Sequence, residues 1–242
     1  MIKINKYIPV VLFVISPLLA FFLAFIKALY NNSQRAFDVL LLLTCSILGL
    51  INSGKVIESD LILYSQQFEF SSQLTYFEYL ILNFKDPIYY SLNYFFYNLI
   101  STDFKLFLFF ITFISYYFLI KASFNFARAV GLNYRFSIFV VILTALFPQI
   151  FSFSGHLLRQ FLAVSFGYYC LSIFYFKQKS RWPVFGLILS CFIHSSNLLF
   201  IGLLFFKLKI KILLKLSLAL IPLGIFFYSQ LDSANVIFNG FK

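Results

Sequence analysis

Apolar positions come in long unbroken runs along this chain, not in alternation. The runs cover residues 7–30, 36–51, 88–100, 104–120, 136–151, 157–176, 183–206 and 212–228. A barrel strand in a membrane alternates outward and inward over about ten residues. Continuous runs fit helices instead, because a helix satisfies its own backbone polar groups in lipid. The pattern predicts an all-α, polytopic integral membrane protein with roughly seven to eight hydrophobic helices, at about 20 residues per span. Residues 1–242 are read as one transmembrane domain. The run 88–100 is short, rising only about 20 Å as helix. With Tyr89, Tyr90, Tyr94 and Tyr97 it reads as a helix lying in the interface. The run 183–206 has basic clusters at both ends. It is read as a segment that enters and returns, broken at His194-Ser195-Ser196-Asn197. The competing reading is one straight span with His194 near mid-membrane.

Composition narrows the class. Of 242 residues, 62% are hydrophobic and 11% charged, against about 25% charged in an ordinary soluble domain. A soluble globule and a disordered chain are both excluded. The net charge of +11 does not read as nucleic-acid binding, because the basic residues cluster between apolar runs. Lys121, Arg128 and Arg135 form one group, Lys177, Lys179 and Arg181 a second, and Lys207, Lys209, Lys211 and Lys215 a third. The positive-inside rule places loops 121–135, 177–181 and 207–215 in the cytoplasm. Residues 53–103 hold Glu58, Asp60, Glu69, Glu78, Asp86 and Asp103 against only Lys55 and Lys85. They are placed at the outer face. Cys45, Cys170 and Cys191 lie inside apolar runs with no metal or disulfide spacing. The first run is long enough to span, and no cleavable signal peptide is evident.

Ionisable side chains inside a membrane are expensive, so each is a functional candidate. Arg159 stands in Ser154-Gly155-His156-Leu157-Leu158-Arg159-Gln160, at the expected outer end of a helix. A permanently charged guanidinium there reads as an anion clamp, with His156 and Gln160 beside it. The bland reading is an arginine snorkelling to the interface. His194 reads as a general base or as a donor to a phosphate or sugar hydroxyl. Its bland reading is a neutral histidine bonded to its neighbouring hydroxyls. Asp60 and Tyr64, four apart, share a helix face. Asp60 reads as a proton acceptor or as a solvated charge. Asp86-Pro87 reads as a helix cap and first turn. Tyr64, Tyr76 and Tyr79 offer stacking surfaces for sugar rings. A P-loop, a dinucleotide fingerprint and HExxH are all absent, so no nucleotide, metal or other cofactor is expected, and a substrate must arrive activated.

Taken in order, Lys55 with Asp60 and Tyr64, then Asp86-Pro87, then Arg159-Gln160-Phe161-Leu162-Ala163, then Ile193-His194-Ser195-Ser196, resemble the Wzy/EpsG group of bacterial polysaccharide polymerases. Lys55 stands where the resemblance leads one to expect arginine. The resemblance implies a multi-pass protein of the bacterial cytoplasmic (inner) membrane. Such a protein joins undecaprenyl-pyrophosphate-linked oligosaccharide repeat units at the outer face. It needs no metal or cofactor, and a flippase and a chain-length regulator are implied as further partners. In this reading Arg159 holds the pyrophosphate, Asp60 or His194 is the base, and Tyr64 positions sugar. Lys55, His156 and Gln160 complete the substrate contacts. The alternatives are a transporter of the same lipid-linked oligosaccharide and a non-catalytic subunit of a glycan-assembly complex. A transporter should show repeated halves, and none is seen.

Overall fold

The computed structural model describes residues 8–177 and 182–205, and these are helical with no strand among them. The helices are α1 Ile8–Ile15, α2 Pro17–Asn31, α3 Gln34–Ser53, α4 Asp60–Phe70, α5 Tyr76–Leu82, α6 Pro87–Leu99, α7 Phe104–Ala129, α8 Tyr134–Ala145, α9 Pro148–His156, α10 Leu158–Lys177, α11 Trp182–Ile193 and α12 Leu198–Phe205. Single 3-10 turns at Ser71–Gln73 and Ser195–Asn197 join α4 to α5 and α11 to α12. The described residues up to 202 belong to one compact unit. The expected run 212–228 and basic loop 207–215 lie outside the described residues, as do Lys179 and Arg181 of loop 177–181.

Among the described residues, two helices, α3 and α7, are long and apolar enough to cross a membrane, or three spans if the bent pair α8–α9 is counted as one. Of the other expected spans, 157–176 is the unbroken helix α10, while 7–30, 136–151 and 183–206 are interrupted, and the interruptions have local causes. A proline disfavours helical backbone in the residue before it and lacks the N–H that would continue a helix. Ser16, before Pro17, is extended at φ −149° and ψ 96°, so the run 7–30 becomes α1 and α2. Phe147, before Pro148, is extended too, and the run 136–151 bends by 50° between α8 and α9. The break expected at His194 is present: His194 is extended at φ −158° and ψ 130°, and a 3-10 turn follows.

Helix α7 is the central strut, packed against α3, α8 and α10, and α10 in turn packs on α11. Two apolar clusters lie along it. One joins α2, α3 and α8 to Tyr116, Ile120 and Phe124 of α7. On α2 the inward positions are Ala20, Ala24 and Ala28, all 1% exposed or less. Small side chains at that spacing bring helix backbones close together. The second cluster gathers α4, α5 and α6 onto the start of α7, the start of α10 and the end of α11. The polar segment 53–103 is therefore a packed aromatic cap on one end of the bundle. At the other cluster Lys121 of α7 pairs with Asp38 of α3 at 2.6 Å.

Candidate functional site

The cap brings Arg159 to the one buried carboxylate among the described residues, Asp86. Pro87 starts α6 and leaves Asp86 at its N-cap position, but the side chain makes no capping hydrogen bond. It is fully buried, and Arg159 Nη1 donates to its Oδ2 at 2.7 Å. The reading of Asp86 as a local cap is thereby corrected: its partner lies 73 positions away. The same Nη1 donates to the Tyr90 hydroxyl at 3.1 Å. The guanidinium carbon lies 5.5 Å from the Tyr64 ring centroid and 5.6 Å from that of Tyr90. Both aromatic faces stabilise the cation electrostatically. Arg159 Nε and Asp86 Oδ1 are buried without protein partners, while 27% of the Arg159 side chain stays open. Nη1 thus anchors the guanidinium, Nε is enclosed, and only the exposed part of the side chain is left for a ligand.

A hydrogen-bonded row fixes the tyrosines. Tyr90 donates to Gln67 Oε1 at 2.9 Å, Tyr79 donates to the Gln67 carbonyl at 2.9 Å, and Asn93 donates to the Tyr79 hydroxyl at 3.2 Å. Burial raises the Tyr90 phenol, with Arg159 opposing, so it stays a neutral donor. Gln67 and Asn93 were not among the sequence candidates. Their only signal is a polar residue at an inward helical position in an aromatic segment. Tyr79 is fully buried and Tyr64 only 8% exposed, so the expected open stacking surface is spent on packing and on Arg159.

His194 belongs to the same end of the bundle. Ile193 before it is in the aromatic cluster, and Asn197 after it is buried and donates to the Ala163 carbonyl on α10. That carbonyl is one turn beyond Arg159. The His194 Nδ1 receives the backbone N–H of Ser196 at 3.2 Å. A backbone N–H only donates, so Nδ1 carries the lone pair and Nε2 carries the proton. In this turn His194 is a hydrogen-bond donor through Nε2.

The other sequence candidates sit apart. Asp60 is exposed at the first turn of α4, one turn before Tyr64. It shares no hydrogen bond with Arg159 or His194 among the described residues. The chain breaks at Leu157 (φ −119°, ψ 52°), so His156 ends α9 while Arg159 and Gln160 begin α10. His156 is exposed and Gln160 half-buried. Neither bonds to Arg159 among the described residues. Lys55 lies beside α9, its ammonium 4.2 Å from the Phe151 ring centroid. A Cβ added at Gly155 would meet Lys55 Nζ at 2.6 Å and Asn52 Oδ1 at 3.0 Å. Asn52 ties this corner together by donating to Thr112 Oγ1 at 2.7 Å and to the Ser154 carbonyl at 3.0 Å. Burial lowers the Lys55 ammonium.

A buried carboxylate steadies a partly open arginine at the end of the bundle that also holds His194, an arrangement suited to an anion. The model of the EpsG family matches residues 38–240. The chain belongs to the EpsG family. No curated protein and no solved structure matches it. Membership of the EpsG family, with the apolar helices, makes it a membrane protein with a polymerase-like role in polysaccharide assembly. The matched region contains Lys55, Asp60, Tyr64, Asp86, Arg159 and His194 alike.

Proposed function

We propose that this EpsG-family chain polymerises undecaprenyl-pyrophosphate-linked oligosaccharide repeat units at the outer face of the bacterial cytoplasmic membrane. The observation that carries this reading is Arg159, anchored through Nη1 to buried Asp86 with 27% of its side chain still exposed. A sugar hydroxyl of the acceptor attacks the anomeric carbon of the donor glycan. The bond from that carbon to the pyrophosphate oxygen breaks, and undecaprenyl pyrophosphate leaves with the electron pair. Negative charge grows on the leaving oxygens, and fixed donors aimed at such charge stabilise the transition state more than the ground state. The exposed part of the Arg159 guanidinium supplies such donors, and His194 Nε2–H another. Lys55 adds a further cation along the carrier, and Tyr64 holds the guanidinium plane.

The acceptor proton goes to Asp60. Of the two candidate bases, His194 has its one lone pair committed to Ser196 N–H. Asp60 is accessible and one helical turn from Tyr64, which lies against Arg159. Gln160 and His156 line the approach along the α9–α10 junction. The remaining expected spans, about seven or eight in total at roughly 20 residues each, and a flippase and chain-length regulator as partners, belong to this same proposal.

The test is glycan length on the native carrier. Chain reconstituted in liposomes receives the lipid-linked repeat units of its strain, and products are sized on a gel. A ladder from the native chain that collapses to single units with Arg159→Lys and with Asp60→Asn supports the reading. Accumulation of repeat units inside the vesicles without any ladder would mark a transporter. A folded chain giving neither ladder nor transport would mark a non-catalytic subunit.

A further inference from the structure

We infer that α5 and the turn after it are a membrane wedge: Phe77, Ile81, Leu82 and Phe84 insert into the lipid leaflet on the Arg159 side. This wedge sets the depth of the Arg159–Asp86 pair. These four side chains are 73%, 74%, 65% and 81% exposed. Four large apolar groups on nine residues, all turned away from the protein, are a costly surface to leave in water.

The inner face of α5 is firmly held. Tyr79 is fully buried, bonds to Gln67 and receives Asn93. Its ring packs 5.9 Å from Tyr90 and 5.8 Å from Tyr94. Asn83 closes the helix by donating to the Tyr79 carbonyl at 2.9 Å. The outward apolar face is therefore presented by a fixed scaffold. The charges around it suit a bilayer surface. Glu78 is folded back on Thr75, accepting its N–H at 2.9 Å and its hydroxyl at 2.7 Å. That draws the carboxylate to the start of α5, away from Leu82 and Phe84. Lys85 is exposed directly after the patch, a cation placed against lipid phosphate. The patch continues into α6, where Tyr76 stacks on Phe95 at 5.0 Å and Leu92 and Phe95 are 43% and 45% exposed. Apolar side chains, tyrosines and a lysine together are what the lipid–water boundary accepts. The segment is tethered at both ends to membrane-crossing helices, α3 and α7, so a leaflet is already beside it.

The consequence for the site follows from chain length. Asp86 is two residues after Phe84, and two residues reach at most about 7 Å. With Phe84 in the leaflet, Asp86 and its partner Arg159 sit at headgroup level. That is where the phosphates of a membrane-held carrier lie. This second step rests on the proposed lipid-linked substrate; the insertion of α5 does not.

The experiment uses tryptophan depth. Trp182 is the only tryptophan in the chain and is replaced by Phe. Phe84→Trp or Phe77→Trp is then added to the full chain in phosphatidylglycerol–phosphatidylcholine liposomes. Lipids brominated near the top of the acyl chain are expected to quench both tryptophans, and aqueous iodide is not. Strong iodide quenching with none from bromolipid would overturn the wedge by placing α5 in water. Insensitivity to both would also overturn it, by showing the patch covered by protein, whether a second copy or another partner. In the same liposomes, Phe77→Ser/Ile81→Ser/Phe84→Ser should raise KM for the lipid-linked substrate severalfold with kcat held. An unchanged KM with the tryptophans in lipid would overturn the depth-setting role alone. Absence of any polymerisation by the native chain would count against the proposed function and leave the quenching result standing.

Discussion

Replacing Arg159 with Gln removes the charge against which Asp86 is buried. Asp86 has no exposed surface, and its Oδ1 has no partner even in the native chain. Breaking a buried pair from one side costs about 3–5 kcal/mol, because the surviving charge is stranded. Arg159 is 27% exposed, so water entering from its side brings the expected cost to the low end, about 3 kcal/mol. That is more than a hundredfold in the folded-to-unfolded ratio, at about 1.4 kcal/mol per factor of ten. Adding Asp86→Asn to Arg159→Gln removes the stranded charge and leaves two neutral amides in its place. The double variant should recover about 2 kcal/mol of the loss, a coupling within the range for residues in direct contact. The assay is loss of helical circular dichroism on titrating dodecyl sulfate into detergent-held protein, run on the native chain, both singles and the double. Glycan ladders measured on the same four proteins separate fold from chemistry. The double variant should be as stable as the native chain to within about 1 kcal/mol and still make no ladder. A double variant no more stable than Arg159→Gln would refute the electrostatic reasoning. A double variant that restores the ladder would reduce Arg159 to a structural role.

Three further outcomes follow from the geometry. His194→Asn keeps an acceptor for Ser196 N–H but loses the Nε2 donor; its ladder should shorten while its melting midpoint holds. Gly155→Ala places a Cβ 2.6 Å from Lys55 Nζ and 3.0 Å from Asn52 Oδ1; the flexible lysine moves aside, but buried Asn52 is held by two hydrogen bonds, so about 1–3 kcal/mol of stability should be lost. KM for the carrier should rise if Lys55 holds it, and an unchanged KM would remove Lys55 from the site. Gly49→Ala drives a Cβ to 2.9 Å from the Phe109 ring and 3.2 Å from its backbone oxygen. The α3–α7 contact cannot yield cheaply there, and about 1–3 kcal/mol of stability should be lost in the same denaturant titration.

The helical, membrane-bound character of the chain was legible because continuous apolar runs leave few other folds in lipid. The break at His194 was legible too, since a polar tetrad interrupts an apolar run. The breaks at Pro17 and Pro148 were present in the sequence as plainly, but hydrophobicity summed over a run hides a proline that stops the helix. Asp86 was misjudged for a different reason. An acidic residue before proline is a strong local signal for a helix start, and that signal was correct for the backbone. The side chain answers to Arg159, and a pairing across 73 positions leaves no local trace. The aromatic cap escaped for the same cause: acidic residues at intervals placed 53–103 at the outer face, while Tyr79, Tyr89 and Phe68 are buried between them. His194 as a donor needed the Ser196 N–H, a backbone detail that composition does not carry.

The Lys121–Asp38 pair has a bearing on the bilayer itself. Between Lys105 and Lys121 of α7 lie fifteen uncharged residues, 106–120, a rise of about 23 Å. An ordinary hydrocarbon core is about 30 Å thick. Joined at 2.6 Å, the ammonium and carboxylate become a neutral dipole that can sit within the acyl region without stranding a charge. Where α3 and α7 meet, the apolar length of α7 can therefore run on past Lys121 toward Ala129, 26 residues in all, a rise of about 39 Å. A bilayer of ordinary thickness is then spanned without being pinched at the pair.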